Sequence, residues 1–417
     1  MSERLGGSLQ VLQRRDFRLL FLGQGISVLG DRMVAVALAF AVLELGGSAS
    51  EVGLVLGAAW GPLVVTVLIG GVIADRTSRR GVMVSADLAR VVSQGAMAAL
   101  VIAGTAEVWM LAVLAGITGA ATGFFNPAST GLLPEVVPDE ELEPANALRS
   151  TAVSASEILG PLVAGVIVAT AGAGWAIGVD AATYAASAVS LAMLRPPARE
   201  RRAPASFLSD LREGWTEFRS RRWVWTFVAY AAVGNLLWGA WSALGPIVAH
   251  RDLGGAAVWG SILGAVGVGA LVGSAVATRA RPRRPLLLVG LMEGLFGLPL
   301  AFLAAAAPAP LIAFAALLSG FGLTIGMSVW QSTLQRHIPA ASLSRVSSYD
   351  WFGSYALYPL GLAAWGSIAG AIGIHTALWV AFALFALSVI AILAVPDVRQ
   401  FRAAAGGAAR LADSRSA

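Results

Sequence analysis

Gly70-Gly71-Val72-Ile73-Ala74-Asp75-Arg76-Thr77-Ser78-Arg79-Arg80 joins two long apolar runs, Val52 to Ile73 and Gly81 to Ala103. Its polar part is too short to hold a domain, so the two runs must be antiparallel neighbours with a tight turn between them. Arg76, Arg79 and Arg80 crowd that turn. Arginines at the end of a short loop mark the cytoplasmic side of a membrane. An ordinary loop obeying that bias has the same composition, so the arginines alone assign no role.

Composition agrees with a membrane protein. Of 417 residues 57% are hydrophobic and 13% charged, with a mean hydropathy of +0.75, whereas a soluble chain carries about 25% charge. Cysteine is absent, which removes disulfides and thiolate metal sites. Every one of the 29 basic residues is Arg. The net charge of +5 does not indicate nucleic acid. The charges cluster at alternate ends of apolar runs, with no basic face interleaved with aromatics. The first apolar run, Phe17 to Leu45, is too long for a signal core and lacks an A-x-A end, so no cleavable signal is expected.

Apolar spans are expected near 17–45, 51–74, 81–103, 107–125, 146–170, 174–194, 222–249, 257–279, 285–307, 310–332, 348–369 and 372–395. Each is at least about 19 residues, enough to cross ~30 Å of hydrocarbon. Twelve spans put both termini on one side. Arginine placement says which: the N-terminus and the 75–80, 126–149, 195–222, 279–284, 335–345 and 396–417 segments hold 26 of the 29. The opposite loops hold only Arg251. Both termini are therefore expected in the cytoplasm of a multi-pass inner (cytoplasmic) membrane protein.

An internal repeat points the same way. Leu133, Pro138 and Gly160 recur 201 residues later as Leu334, Pro339 and Gly361. The expected fold is an all-α membrane protein of 12 transmembrane helices in two halves of parallel topology. Its parts are an N-terminal six-helix bundle (1–194), a cytoplasmic linker (195–221), a C-terminal six-helix bundle (222–396) and a cytoplasmic tail (397–417). In the linker Phe207, Leu211, Trp215 and Phe218 recur at helical spacing among charges. That predicts an amphipathic helix in the headgroup plane, or a solvated helix packed on neighbouring loops.

Ionisable residues inside spans are costly and so informative. They are Asp31, Arg32, Asp87, Arg90, Glu157, Asp180 and Glu293, with Asp350 near a cytoplasmic end. Asp31 lies roughly 21 Å along a helix from Phe17, and Glu157 sits near the middle of the fifth span. A carboxyl protonated in one conformation and ionised in another is what proton coupling needs; a structural carboxylate paired with an arginine is the competing reading. Arg32 points about 100° away from Asp31, so Arg90 is the more promising partner if the third span turns it inward. Asp87 and Arg90 share a helical face and are read mainly as a structural pair. Asp180, about a turn and a half from the outer end, is expected to reach water, and Glu293 is similarly ambiguous. Gly264-x-x-Gly267-x-Gly269 lies within a span, which argues against a nucleotide loop there.

Gly71-x-x-x-Asp75-Arg76-x-x-Arg79-Arg80 resembles the G-x-L-A-D-R-x-G-R-K loop of the major facilitator superfamily, with Ile73 and Ser78 as departures. Ser156-x-x-x-Gly160-Pro161-x-x-Ala164-Gly165 resembles the G-x-x-x-G-P-x-x-G-G motif of facilitator antiporters, with Ser and Ala replacing two glycines. Gly30-Asp31-Arg32-Met33, Ala86-Asp87-Leu88-x-Arg90, Phe125-Asn126-Pro127-Ala128 and Ala145-Asn146-Ala147-Leu148 narrow the likeness. Together they resemble the bacterial drug:proton antiporter branch that contains macrolide efflux proteins and the enterobactin exporter. The resemblance implies a latch role for Asp75 in the outward-facing state, and export through the Gly160-Pro161 motif. In the second half Ala277 stands where the loop aspartate would be, so any such latch is asymmetric.

The resulting expectation is a proton-coupled secondary transporter exporting a hydrophobic or amphipathic small molecule by alternating access. A facilitator importer or a lipid flippase is the alternative. The partners expected are a small-molecule substrate, protons and the lipid bilayer, with no nucleic acid, no cofactor and a monomeric state. The isolated His250, His337 and His375 build no catalytic constellation, so no enzyme is expected.

Overall fold

The computed structural model describes residues 11–195, 207–280 and 282–402. The described residues fold into helices without a strand. In chain order the first group is α1 Arg15–Glu44, α2 Ala49–Arg76, α3 Arg79–Ile102, α4 Val108–Val136, α5 Leu142–Ala171 and α6 Ala173–Ala192. A linker helix follows, α7 Phe207–Ser220. The second group is α8 Arg222–Val248, α9 Ala256–Ala277, α10 Pro285–Gly294, α11 Leu298–Ala304, α12 Ala309–His337, α13 Ala340–Tyr355, α14 Tyr358–Ile372, α15 Ile374–Ala394 and α16 Pro396–Gln400.

Among the described residues eleven helices are long and apolar enough to cross a bilayer; α10 and α11 count as one of them, and the stretch through α13 and α14 as another. The twelfth expected span coincides with helix α6, which has 20 residues and is not among those eleven. Its length suffices, but Asp180 and its many small and hydroxyl residues leave it too mildly apolar to count with the others.

The break in the opening stretch is shorter than its sequence suggests. Helix α2 runs through Arg76 and α3 begins at Arg79, leaving Thr77 and Ser78. Ser78 is the N-cap of α3, its hydroxyl accepting from the Gly81 amide at 3.2 Å. The 126–149 segment, expected as a loop, is mostly helix. Helix α4 continues through Pro127 and Pro134, and only Val137–Glu141 separates it from α5. Prolines persist inside membrane helices where the surrounding backbone is buried in protein, and the Thr66 hydroxyl, which donates to Pro62 O and Ala120 O, ties α2 to α4.

The repeat is visible in the element boundaries. Val108–Val136 and Ala309–His337 are both 29 residues long and differ by the same 201-residue offset. Gly172 is the whole connection between α5 and α6, and Gly373 between α14 and α15, with φ of 94° and 86°. A non-glycine residue is strained in that region. Gly160 packs on α1 and Gly361 on the corresponding α8, against Leu29 and Leu236 respectively.

Three apolar clusters fill the interior. The largest joins Met33 to Val42 of α1 with Leu237 to Val248 of α8 and Leu362, Trp365 and Phe385 of α14 and α15. It therefore ties the first six helices to the later ones at the end where α1 finishes and α2 begins. At the opposite end there are two separate clusters. One is built around Phe17, Met83 and Leu132, the other around Phe227, Leu286 and Trp330, and neither crosses between the groups.

The linker helix packs on protein. Phe218 is buried against Tyr349 of α13, ring centroids 5.7 Å apart, while Trp215 stacks on Phe218 and stays exposed. The side chains of Phe207 and Leu211 lie outside the described residues.

Candidate functional site

Between the two groups of helices lies a cavity of about 920 Å³. Its closed end is made by glycines. A Cβ on Gly366 would fall 2.2 Å from the Ala49 carbonyl oxygen, and one on Gly53 2.2 Å from that of Leu362. On Gly57 the distance to Pro359 O grows to 3.1 Å, and Gly61 meets nothing within 4 Å. Helices α2 and α14 thus touch at one end and splay toward the other. Helix α5 meets α9 in the same manner. Gly260 approaches the Pro161 carbonyl, Gly165 approaches that of Ala256, and Gly267 lies against Glu157 and Ile158.

The two sequence motifs find distinct positions. Gly160 and Gly165 with Pro161 are packing positions on α5. A Cβ on Gly160 would lie 2.4 Å from the Arg32 Cβ, so the glycine seats Arg32 one helical turn from Glu157. Arg32 and Glu157 form an ion pair at 3.3 Å, and both line the cavity. In the loop, Arg79 bonds the Gly131 carbonyl and pairs with Glu135 at 3.1 Å. Arg80 bonds the carbonyls of Leu191 and Ala192 at the end of α6. Arg76 is exposed and Gly71 faces Pro127. The side chain of Asp75 lies outside the described residues.

Behind the cavity wall sits a buried polar cluster. Arg90 is 1% exposed and pairs with Asp87, which is fully buried. Its guanidinium lies between two rings, 4.1 Å from the centroid of Phe125 and 4.3 Å from that of Tyr184. The Tyr184 hydroxyl donates to Asp31, and Asp31 and Asp180 are both within electrostatic range of Arg90. Asp31 also lines the cavity, so it connects the buried cluster to the open space.

The sequence-based expectation that Asp180 reaches water is wrong: its exposure is 0%. Helix α6 packs directly on α1, and a Cβ on Gly30 would lie 2.3 Å from Asp180 Oδ1. The glycine before Asp31 lets α6 approach closely enough to seal Asp180 inside. Glu293, left open by the sequence, lines the cavity at the end of α10. Just after it the helix is interrupted by a 3-10 turn at Leu295–Gly297, and α13 breaks from α14 beside Tyr358. Both interruptions border the cavity through Phe296 and Tyr355. Broken helices at mid-membrane are tolerated where they line such a space.

Tyr184 went unnoticed in the sequence, although it follows Asp180 by one helical turn and is one of only five tyrosines. Trp60, Tyr230 and Trp330 were also missed, because an aromatic inside an apolar run carries no periodic signal of its own.

A chain of membrane-length helices in repeated halves around a central charged cavity is a multi-pass membrane transporter. The Major Facilitator Superfamily profile matches residues 20–361, and the chain belongs to that superfamily. It is 27% identical over 392 residues to the multidrug efflux pump Tap of Mycolicibacterium fortuitum, covering 89% of this chain and 93% of that one. It is 28% identical over 406 residues to the enterobactin exporter EntS of Shigella boydii, covering 93% of each. The nucleoside transporter NupG superposes with a TM-score of 0.75 over 91% of this chain and 99% of its own, at 11% identity. That last likeness carries the fold alone.

Proposed function

We propose that the chain is a proton-driven exporter of hydrophobic or amphipathic small molecules, working by alternating access. Asp31 carries this reading: among the described residues it is the carboxyl that both lines the cavity and touches the buried cluster. Asp31, Asp87 and Asp180 surround one guanidinium, so the cluster is charge-neutral only with two of the three protonated. Asp87 and Asp180 are sealed, which leaves Asp31 to exchange its proton with water in the cavity. Glu157, held by Arg32, is the second coupling carboxyl. Export is supported by the efflux relatives and by the packing of Pro161 and Gly165 against α9 and of Gly160 against α1.

The two halves, 1–194 and 222–396, rock about the cavity, with Asp75 latching the alternate state. With the termini and the Arg76–Arg80 loop cytoplasmic, the open end faces the cytoplasm, the loading state for export. The cavity is complete within one chain, which suits a monomer. Everted vesicles test the reading. They should accumulate an exported dye when an inside-acid pH difference is imposed and not without it. Asp31→Asn should abolish that accumulation while downhill exchange of a neutral substrate persists. If the variant still concentrates substrate under the pH difference, Asp31 is not the coupling group, and accumulation indifferent to pH removes proton drive altogether.

A further inference from the structure

The 201-residue repeat relates two opposite charges, Arg149 of α5 and Asp350 of α13. They are bracketed by Pro138 and Pro339 on one side and by Gly160 and Gly361 on the other, so the register is fixed. Their hydrogen bonds are equivalent too. Arg149 donates to the Ser129 hydroxyl of α4 at 3.1 Å, and Asp350 accepts from Trp330 Nε1 of α12 at 3.2 Å. Twenty residues separate the partners in each bond, and Ser129 and Trp330 are themselves related by the repeat.

Among the described residues neither charge makes an ion pair. Asp350 is 8% exposed and lines the cavity, where the guanidinium of Arg32 is already held by Glu157. Arg149 is half-buried, and Glu157, two turns further along α5, is taken by that same Arg32. Gln24 of α1 accepts from Ser129 at 3.2 Å, yet its buried amide nitrogen finds no acceptor among the described residues. One site is thus short of an acceptor and its counterpart short of a cation. Unpaired charges inside a membrane protein are costly.

The two sites sit on opposite sides of the parted end. Leu133 and Ala145 are buried in one apolar cluster, and their repeat counterparts Leu334 and Val346 in the other. Halves of parallel topology are related by an axis along the membrane normal. Equivalent positions beside that axis approach each other as the ends close.

We infer that Arg149 and Asp350 form an ion pair that seals the parted end once the halves rock closed. The inference rests on the proposed function only in taking that motion to occur. In the present state the charges are held apart on Ser129 and Trp330. On closure the guanidinium meets the carboxylate while hydroxyl and indole keep their hydrogen bonds, the condition under which a buried pair is favourable.

The test needs neither cargo nor a pH difference. Leu56→Cys, on the cavity wall at the joined end, is exposed in sealed vesicles to an impermeant thiol reagent added only on the side of that end. It reacts when the parted end shuts and the joined end opens. Arg149→Gln and Asp350→Asn should each slow that labelling at least about fivefold, the low end of a coupling between two sites. The double variant should be no slower than either single, because both remove the same interaction. Separately, Arg149→Cys with Asp350→Cys, in a chain that otherwise lacks cysteine, should be bridged by a short bifunctional thiol reagent. Thermal unfolding checks that each variant is folded. Folded single variants labelled at the parent rate, or a double variant slowed by the product of the two, overturn the pair and leave the rocking motion standing. A cysteine pair that no reagent bridges while Leu56→Cys still labels does the same. If Leu56→Cys never labels in the parent background, the motion fails, and the inference falls with it. Loss of proton drive alone would leave both measurements, and the pair, untouched.

Discussion

Arg90 illustrates how one side chain can organise a membrane interior. Its guanidinium pairs with Asp87 and is sandwiched by Phe125 and Tyr184, so its charge is met by both an acid and two ring faces. Removing it would leave Asp87 buried beside no cation. Breaking one side of a buried pair costs about 3–5 kcal/mol, and Arg90→Ala should lower the thermal unfolding midpoint of the purified protein accordingly. Arg90→Lys should not restore it, because a compact ammonium cannot lie flat between two rings as a guanidinium does. A lysine variant as stable as the parent would refute the sandwich as the source of stability. The sequence located Asp87 and Arg90 as neighbours because three-residue spacing on a helix is a local property. It misjudged Asp180 because position along a helix fixes depth, while burial depends on which helix approaches. That approach is set by Gly30, 150 residues away in sequence.

Glycine contacts decide where the helices of the two groups touch. Gly366 lies against the Ala49 carbonyl so closely that any side chain must push α14 from α2. Gly366→Val should therefore open the closed end. A cysteine at Leu56, buried on the cavity wall, should become reactive to an impermeant thiol reagent applied from that side. A gain of about tenfold or more is expected, the change that ~1.4 kcal/mol of strain brings. Unchanged labelling would mean that the contact does not hold that end shut. A weaker tie joins α1 to the turn before α5. Arg14 grips Glu141 through two bonds of 2.6 and 2.8 Å and holds its carboxyl below the ordinary value of 4.5. The contribution is present above that ordinary value and is lost as pH falls through the depressed one. Both groups are exposed, so Glu141→Gln should shift the unfolding midpoint only slightly at neutral pH, and parent and variant should converge once the pH has fallen through the depressed value. A difference that grows in acid would contradict the sign. Legibility was uneven among these elements. Hydropathy located the spans, but it read 126–149 as a loop because polar and proline residues there interrupt the apolar run. The helix continues regardless, packed along α2 and α3.

The three apolar clusters make the molecule a pair of helix groups fused at one end and parted at the other. The 201-residue repeat was readable because both halves place proline and glycine at the same helix ends, as Pro138 and Pro339 do. The twelve-span count was readable less well: α6 is long enough to cross but spends its positions on Asp180, Thr183 and Ser187, which face inward. What no stretch of sequence reports is which end is joined, since that depends on contacts between helices far apart in the chain. The joined end lies on the side of the loop before Val108, and the parted end on the side of Arg76–Arg80. Arginines are retained on the cytoplasmic side of short loops, and on that rule we propose that the parted end faces the cytoplasm. The chain lacks cysteine, so single cysteines report position without background. Thr105→Cys, in the exposed loop between α3 and α4, should react with an impermeant maleimide added to intact cells. Arg219→Cys, exposed on the linker helix, should react only after the membrane is opened. Labelling of the second position from outside would invert the topology and turn the cavity's open end outward, and the direction of transport assigned to this state would have to be reversed with it.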